Sequence, residues 1–189
     1  MPLIGDFKPV PLPEKFTVGI YYSDTNPMHN IELLIDIAAA MPDIEFKFFG
    51  GSRCSREGNI EYIPWKNIHD IIKQCSINVR FTVHDGFPHV PIQFLLSGRQ
   101  VITNSNMPYM HHFDYKLNKD NYADCKVKLI AKIREVKKNI GDKDNIEKGS
   151  VYYKNITDPE GYKKIIYNIL EKGKSFMFED DILTEKINA

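Results

Sequence analysis

The sequence has no excess of charge of either sign, since 25 lysines and arginines balance 25 aspartates and glutamates in 189 residues. A balanced chain creates no overall field that would attract nucleic acid or an anionic membrane. The sequence also lacks a run of about 18 apolar residues, and residues 1–6 lack the charged and apolar regions of a signal peptide. We therefore expect no nucleic-acid partner, no transmembrane segment and a cytoplasmic location.

Cysteine is scarce, with only Cys54, Cys75 and Cys125, and these three are widely spaced and odd in number. Such a pattern indicates free thiols in a reducing compartment rather than a disulfide framework. The composition, 42% hydrophobic and 26% charged, is that of an ordinary globular protein. A chain of this length fits one domain with a sizeable core.

Apolar, β-branched segments alternate with helical patterns along most of the chain. Apolar or alternating patterns predict strands at 16–22, 44–49, 60–63, 77–83 and 101–103. Helices are predicted from Asn30, which is expected to cap the first one, to Pro42, and at 67–74, 90–96, 122–139 and 160–172. Residues 31, 34, 35 and 38 should form the inner face of the first helix. The strict alternation in 77–83 predicts a strand with one polar or lightly covered face.

Strands separated by helices imply βαβ units with right-handed crossovers. We predict an α/β fold, a single Rossmann-like doubly wound domain whose mostly parallel sheet has helices on both faces. The domain should span 16–175, after a Pro-rich lead at 1–15 and before a C-terminal tail at 176–189.

The segment 82–104 carries the strongest functional signal, because it reads as a strand, a polar loop, a short helix and another strand. This order places Asp85 and Gly86 at the carboxyl end of a strand, where open α/β sheets bind ligands. Phe87, Pro88 and His89 lead into the helix, whose first backbone N–H groups suit a phosphate.

Residues 16–109 resemble the C-terminal, donor-binding half of GT-B glycosyltransferases of the group 1 type. The matching features are Val18-Gly-Ile20 in the first strand, Gly50 ending the second, His84-Asp-Gly86 in the loop, Gly98-Arg99 before the next strand and Met107-Pro-Tyr109 after it. The resemblance implies one half of a GT-B fold that binds a nucleotide diphosphate sugar. In the family a Glu eight residues after the loop acid holds the ribose, and here that position is Gln93. The family's basic pair for the phosphates aligns with His29 and, approximately, Tyr21, which implies a weaker phosphate grip.

Three further candidates each have a functional and a structural interpretation. Trp65 either flanks the base or packs in the structure. Gly50 and Gly51 either admit the ligand to the backbone or form a turn, and Arg53 either meets a phosphate or is solvated. Asp85, Gly86 and Gln93 could equally be a helix cap, a turn glycine and a solvated side chain.

His111, His112 and Asp114 suggest a metal site, but adjacent histidines do not converge as an i, i+4 helical pair does. We expect neither a metal nor a cofactor, with the nucleotide sugar as substrate, and the sequence assigns no catalytic residue.

Two functional hypotheses remain. The first is a donor-binding domain of a glycosyltransferase that needs an acceptor-binding domain or partner chain and is inactive in sugar transfer by itself. The first strand begins near residue 16, so we expect either a piece of a longer protein or a free-standing module that works with a partner. The second hypothesis is a non-catalytic glycosyltransferase-like module that uses the same fold for protein contacts.

Overall fold

The computed structural model of the chain describes residues 6–24, 27–83, 88–113, 121–161, 163 and 167. The strands of these residues are β1 Thr17–Tyr21, β2 Glu45–Phe49, β3 Ser55–Glu57, β4 Ile60–Ile63, β5 Ile77–Arg80, β6 Gln100–Thr103 and β7 His111–His112. The α-helices are α1 Ile31–Ala39, α2 Ile68–Ile72, α3 His89–Leu96, α4 Tyr122–Lys138 and α5 Asp144–Thr157, and a 3-10 turn covers Pro27–His29.

The strands form a single sheet in the order β3-β4-β2-β1-β5-β6-β7. Neighbouring strands are parallel except β3, which runs antiparallel to β4 at one edge. From β1 the chain builds outward through β2 and β4 on one side, and then returns to β5 and builds through β6 and β7 on the other. The predicted Rossmann-like, doubly wound and mostly parallel sheet is therefore confirmed.

Helices cover both faces of this sheet, as predicted. One face carries Val18 and Ile20 and packs against apolar side chains of α1 and α4. The other face packs against α2, α3 and α5. Each large aliphatic side chain buried in these layers contributes roughly 1.5–3 kcal/mol, which is why the central strands have almost no exposed apolar surface.

The strand predicted at 77–83 has the expected polar face, but that face is not lightly covered. Asn78 in β5 is 0% exposed, and Thr82 just beyond the strand is 3% exposed. The Asn78 side chain is buried because its Nδ2 donates to the Gly19 carbonyl oxygen at 3.0 Å. Phe94 of α3 covers the same region, since a Cβ placed on Gly19 would lie 3.2 Å from its ring.

Asn30 is the N-cap residue of α1, as predicted, but its side chain does not cap the helix. Asn30 has left-handed backbone angles, φ 48° and ψ 42°, and makes no side-chain hydrogen bond to the helix. Its Nδ2 instead donates to the Phe81 carbonyl oxygen at 3.4 Å. The buried residues of α1 are Leu33, Leu34, Ile37 and Ala38, whereas the predicted Ile31 and Ile35 are only partly buried against the same core.

Strands β3 and β7 and helix α5 were not predicted from the sequence, and the helix predicted at 160–172 falls largely outside the described residues. Helix α5 lies close against α3, because a Cβ at Gly149 would approach Leu95 Cδ2 to 2.7 Å. Tyr153 of α5 is fully buried, and its hydroxyl donates to the Pro108 carbonyl oxygen at 3.1 Å.

The described part of the Pro-rich lead packs on the domain. Arg99 is 0% exposed and donates to the carbonyl oxygens of Val10 at 2.7 Å and Pro11 at 2.5 Å. Phe7 is buried and stacks on His69, with ring centroids 4.2 Å apart. These contacts attach residues 7–11 to the outer side of α2 and the start of β6.

Candidate functional site

The order of the strands reverses between β1 and β5, which lie side by side with Gly19 opposite Asn78. Open α/β sheets bind ligands in the crevice at the carboxyl ends of such strands. The segments that follow the two strands are joined by hydrogen bonds here. The Val83 N–H donates to the Met28 carbonyl oxygen at 2.9 Å, in addition to the bond from Asn30 to Phe81.

Asn104 holds the same segment from the other side. Its Oδ1 accepts from the Thr82 N–H at 3.0 Å, and its Nδ2 donates to the Thr82 carbonyl oxygen at 2.6 Å. The residues 81–83, which precede the predicted loop, are therefore fixed to the neighbouring segments. Asp85, Gly86 and Phe87 lie outside the described residues, so their predicted roles remain predictions.

Tyr21, the last residue of β1, is the centre of a group of side chains at this edge. Its ring centroid lies 5.4 Å from that of His29, 5.8 Å from that of Phe49 and 6.1 Å from that of Trp65. The guanidinium carbon of Arg80, the last residue of β5, lies 5.5 Å from the Tyr21 ring centroid. We call these five residues the Tyr21 cluster.

Trp65 is 58% exposed and meets Tyr21 edge-on at an interplanar angle of 84°. A tryptophan that merely filled the core would be covered on both faces, whereas this one presents aromatic surface to solvent at the carboxyl edge. The exposure favours the base-flanking hypothesis for Trp65 over the packing interpretation.

His29 is only 5% exposed, and its Nε2 lies 3.5 Å from Arg80 Nη1. A guanidinium has no acceptor, so it can donate to this nitrogen only when the nitrogen carries no proton. Arg80 is partly exposed and always charged. The structure therefore places a permanent cation beside the predicted phosphate ligand His29, and the sequence analysis did not identify it.

The two glycines after β2 make room for aromatic side chains of the protein itself. A Cβ on Gly50 would lie 2.5 Å from Tyr21 Cε2, and Gly50 has a φ of +109°. A Cβ on Gly51 would overlap the ring of Tyr22. The absence of side chains at both positions is thus already required by packing inside the chain.

Arg53 precedes β3 and contacts the edge hairpin formed by β3 and β4, so it lies outside the Tyr21 cluster. Its guanidinium pairs with Glu57, its Nε donates to Ser55 Oγ at 3.0 Å, and its Cζ lies 4.0 Å from the Tyr62 ring centroid. These contacts favour the structural interpretation of Arg53 over phosphate binding.

The start of α3 offers a smaller set of backbone donors than the sequence suggested. Pro88 is the buried residue before the helix and His89 is its exposed first residue. Pro91 occupies the third position and has no N–H, which leaves His89 and Val90 as the first-turn donors. Gln93, the predicted ribose ligand, is the fifth residue of α3 and is partly exposed.

The histidine pair considered as a metal site forms β7, and the two rings have different partners. His111 Nε2 lies 3.1 Å from Gln100 Oε1, and His112 Nδ1 lies 3.3 Å from the Ser105 carbonyl oxygen. Burial lowers the pKa of His111. In the described part of the chain, no three His, Cys, Asp or Glu side chains are grouped to hold a metal ion.

No family model and no curated protein matches the sequence. Solved structures do match. The pneumococcal O-GlcNAc transferase GtfA, in complex with UDP and GlcNAc, is 14% identical with a TM-score of 0.61 over 88% of this chain. Anabaena HepE, in complex with UDP and glucose, is 12% identical with a TM-score of 0.63 over 82% of this chain.

The chain spans 39% of the length of GtfA and 48% of that of HepE. It covers 94% of the C-terminal domain of the glycosyl transferase group 1 family protein LpcC from Francisella tularensis, at 14% identity and a TM-score of 0.54. The fold is therefore that of the C-terminal domain of a GT-B glycosyltransferase, and the expected resemblance is confirmed at this level. Among the described helices, none has the length and apolarity required to cross a membrane.

Proposed function

We propose that this chain binds a nucleotide diphosphate sugar at the carboxyl edge between β1 and β5, as the donor-binding domain of a glycosyltransferase. The Tyr21 cluster carries this proposal, because it combines an exposed aromatic face with a guanidinium at the reversal of strand order. Such a pair suits a ligand with a planar base at one end and phosphates at the other.

Each part of the ligand has a candidate partner. Trp65 offers a face to the base, and stacking of a base on an aromatic side chain contributes about 1–3 kcal/mol. Gln93 takes the ribose, where its amide accepts one hydrogen bond and donates another but lacks the strength of a carboxylate. The diphosphate lies toward the start of α3 and the segment at 84–87, and the solved complexes of GtfA and HepE with UDP support this class of ligand.

Sugar transfer requires more than donor binding. An acceptor must be held against the anomeric carbon, and water must be excluded from the reacting atoms. We propose that an acceptor-binding domain or partner chain supplies both, so that this chain provides the donor wall of the cleft.

A second function, a non-catalytic module for protein contacts, is favoured by a different observation at the same edge. Met28, Trp65 and Val83 are 45%, 58% and 69% exposed. Large apolar side chains at a cleft suit a protein partner as well as a ligand.

The test uses Trp65 as a probe, because it is the only tryptophan of the chain. UDP, GDP and their sugars are titrated while tryptophan fluorescence and thermal unfolding are followed. Binding at about 100 times the dissociation constant should stabilise the fold by about 2.7 kcal/mol. A saturable fluorescence change together with this stabilisation supports donor binding. If no nucleotide or nucleotide sugar changes either signal at millimolar concentration, donor binding is excluded and the protein-contact function is favoured.

A further inference from the structure

We infer that Arg80 is the cation that binds the diphosphate of the ligand at this site. The assignment rests on the proposed nucleotide site. The segment after β1, where the cation was expected, instead presents Tyr21 and the nearly buried His29. The cation reaches the same edge from the neighbouring strand, β5.

The position of Arg80 in the topology is the first argument. It is the only lysine or arginine that ends any of the seven described strands, and its strand is one of the two between which the order reverses. A charge at this position lies next to the crevice in which a ligand of an open α/β sheet is held. Two residues later, Thr82 is held by two hydrogen bonds with Asn104.

The orientation of the guanidinium is the second argument. Arg80 Cζ lies 5.5 Å from the Tyr21 ring centroid, and Tyr21 is supported by Phe49 and by the close approach of Gly50. An arginine that contacts an aromatic ring still has several N–H groups in the plane of its guanidinium. These donors match two oxygens of a phosphate at once. Tyr21 is thus a positioning residue that holds the cation for a bidentate contact.

Arg80 also differs from the other candidate anion ligands in its place and exposure. Arg53 lies away from the Tyr21 cluster, beside Glu57 and the Tyr62 ring at the sheet edge. His29 is 5% exposed, and α3 lacks one first-turn N–H because Pro91 is its third residue. Arg80 is a permanent charge with partial exposure inside the Tyr21 cluster.

The assignment is tested by measuring the dissociation constants of UDP, GDP, uridine, guanosine and inorganic pyrophosphate by calorimetry. Arg80→Gln should raise the dissociation constants of UDP, GDP and pyrophosphate by about tenfold or more, because a charged hydrogen bond is lost. The nucleosides should bind as they do to the wild type. The dissociation constants of Arg80→Lys should lie between those of the wild type and those of Arg80→Gln, since lysine keeps the charge but not the fork of donors. Tyr21→Leu, which removes the ring that holds Arg80, should weaken the binding of UDP, GDP and pyrophosphate in the same direction.

The matched control is Arg56→Gln, which removes an exposed arginine of β3 that pairs with Glu45. Arg56→Gln should leave the affinity for every ligand unchanged. Of these two variants, only Arg80→Gln should reduce the slope of log affinity against log salt concentration for the diphosphates and pyrophosphate. Unfolding temperatures of all variants establish that each is folded at the assay temperature. If Arg80→Gln does not fold, Arg80→Lys and the salt slope of wild-type pyrophosphate binding take its place.

The outcomes separate this assignment from the nucleotide proposal. Diphosphate affinity that is equal in the wild type and Arg80→Gln would overturn the role of Arg80 and leave the nucleotide site standing. If Arg80→Gln weakens the binding of nucleosides and of diphosphates equally, the role of Arg80 in phosphate binding is also overturned, since the effect is then structural. Pyrophosphate binding that depends on Arg80 without any nucleotide binding would support the anion site and exclude the nucleotide. If the wild type binds neither nucleotides nor pyrophosphate, both the Arg80 assignment and the nucleotide proposal are overturned.

Discussion

Gly50 and Tyr21 are packed so closely that a Cβ at position 50 would lie 2.5 Å from Tyr21 Cε2. Gly50 also has a φ of +109°, a conformation that other residues rarely adopt. Tyr21 in turn contacts the rings of His29 and Trp65 and the guanidinium of Arg80. The end of β2 therefore sets the position of the aromatic centre of the candidate site.

From this contact we predict that Gly50→Ala lowers the free energy of unfolding by about 2–4 kcal/mol, the sum of backbone strain and overpacking. The control is Gly58→Ala, at a φ of +59° with no atom within 4 Å of the added Cβ. That variant should lose only about 1 kcal/mol. Urea unfolding of the three proteins measures both values. Equal losses would show that the contact with Tyr21 adds nothing to the strain.

The cysteines should differ sharply in reactivity. Burial raises the pKa of Cys75 to about 12 and that of Cys125 to about 11, whereas Cys54 is exposed. The thiolate is the reactive form, so at pH 8 one thiol of the native chain should react rapidly with a disulfide reagent and all three should react in denaturant. Cys54→Ser should abolish the rapid reaction. Rapid reaction of two thiols in the native protein would contradict the burial of Cys75 or Cys125.

Stability should decline below about pH 6.5 in part because of His111. Burial, and then the charge of Lys132, lower the pKa of His111 from its ordinary 6.5. The unfolded chain therefore binds a proton first as the pH falls, so the stability contributed by the neutral ring is complete above about pH 6.5 and is lost as the pH falls through the folded pKa. The ring also donates from Nε2 to Gln100 Oε1, because the Gln100 amide nitrogen is already donating to the carbonyl oxygens of Asn139 and Asp142.

Urea unfolding at pH 7.5 and pH 5.5 checks this linkage. The loss of stability between the two pH values should be smaller in His111→Gln than in the wild type. His112→Gln, at the exposed neighbouring position, should retain the wild-type loss. An identical loss in all three proteins would mean that His111 does not contribute to the acid sensitivity.

Trp65 should matter for ligand affinity and little for stability. Its side chain is 58% exposed, and substitutions of exposed residues usually change the free energy of unfolding by less than about 0.5 kcal/mol. Trp65→Ala should make the binding free energy of nucleoside diphosphates less favourable by about 1–3 kcal/mol, because stacking on the base is lost. Calorimetry measures this change. Val127→Ala, at a position of α4 that is 65% exposed, is the control. Unchanged affinity in Trp65→Ala would place the base elsewhere.

The order of the central strands and their covering helices was predictable because each has its own periodic signal. The strands around Val18, Phe46 and Val79 are apolar or alternating, and α1 to α4 have apolar residues at helical spacing. Helix α5 lacked such a signal, since its close packing on α3 depends on Gly149, a residue with poor helix propensity. Strand β7 contains only two residues and is defined by its pairing with β6.

The candidate site was predicted in part for the same reason. Strand ends can be read from the sequence, and the structure places His29, Gly50 and Trp65 around one side chain, Tyr21. The position of Arg80 beside Tyr21 depends on β1 and β5 being neighbours, although residues 22–76 lie between these two strands in the chain. Two features of the sequence could have identified Arg80. It is a basic residue, and it stands near the end of a strand with an alternating pattern. Asp85 and Gly86 remain predictions.

The final prediction is that these 189 residues alone transfer no sugar. Transfer requires an acceptor positioned against the anomeric carbon and the exclusion of water, and both are properties of a closed cleft. The described residues form one sheet with its helices, and the carboxyl edge of that sheet leaves Trp65 and Val83 exposed. Donor hydrolysis should also stay near the uncatalysed rate, because an open edge supplies few interactions that strengthen in the transition state. Release of UDP or GDP from their sugars is measured with a coupled assay, with Arg80→Gln as the matched inactive control. Sustained release by the wild type, absent in the variant, would show that the chain contains a complete active site.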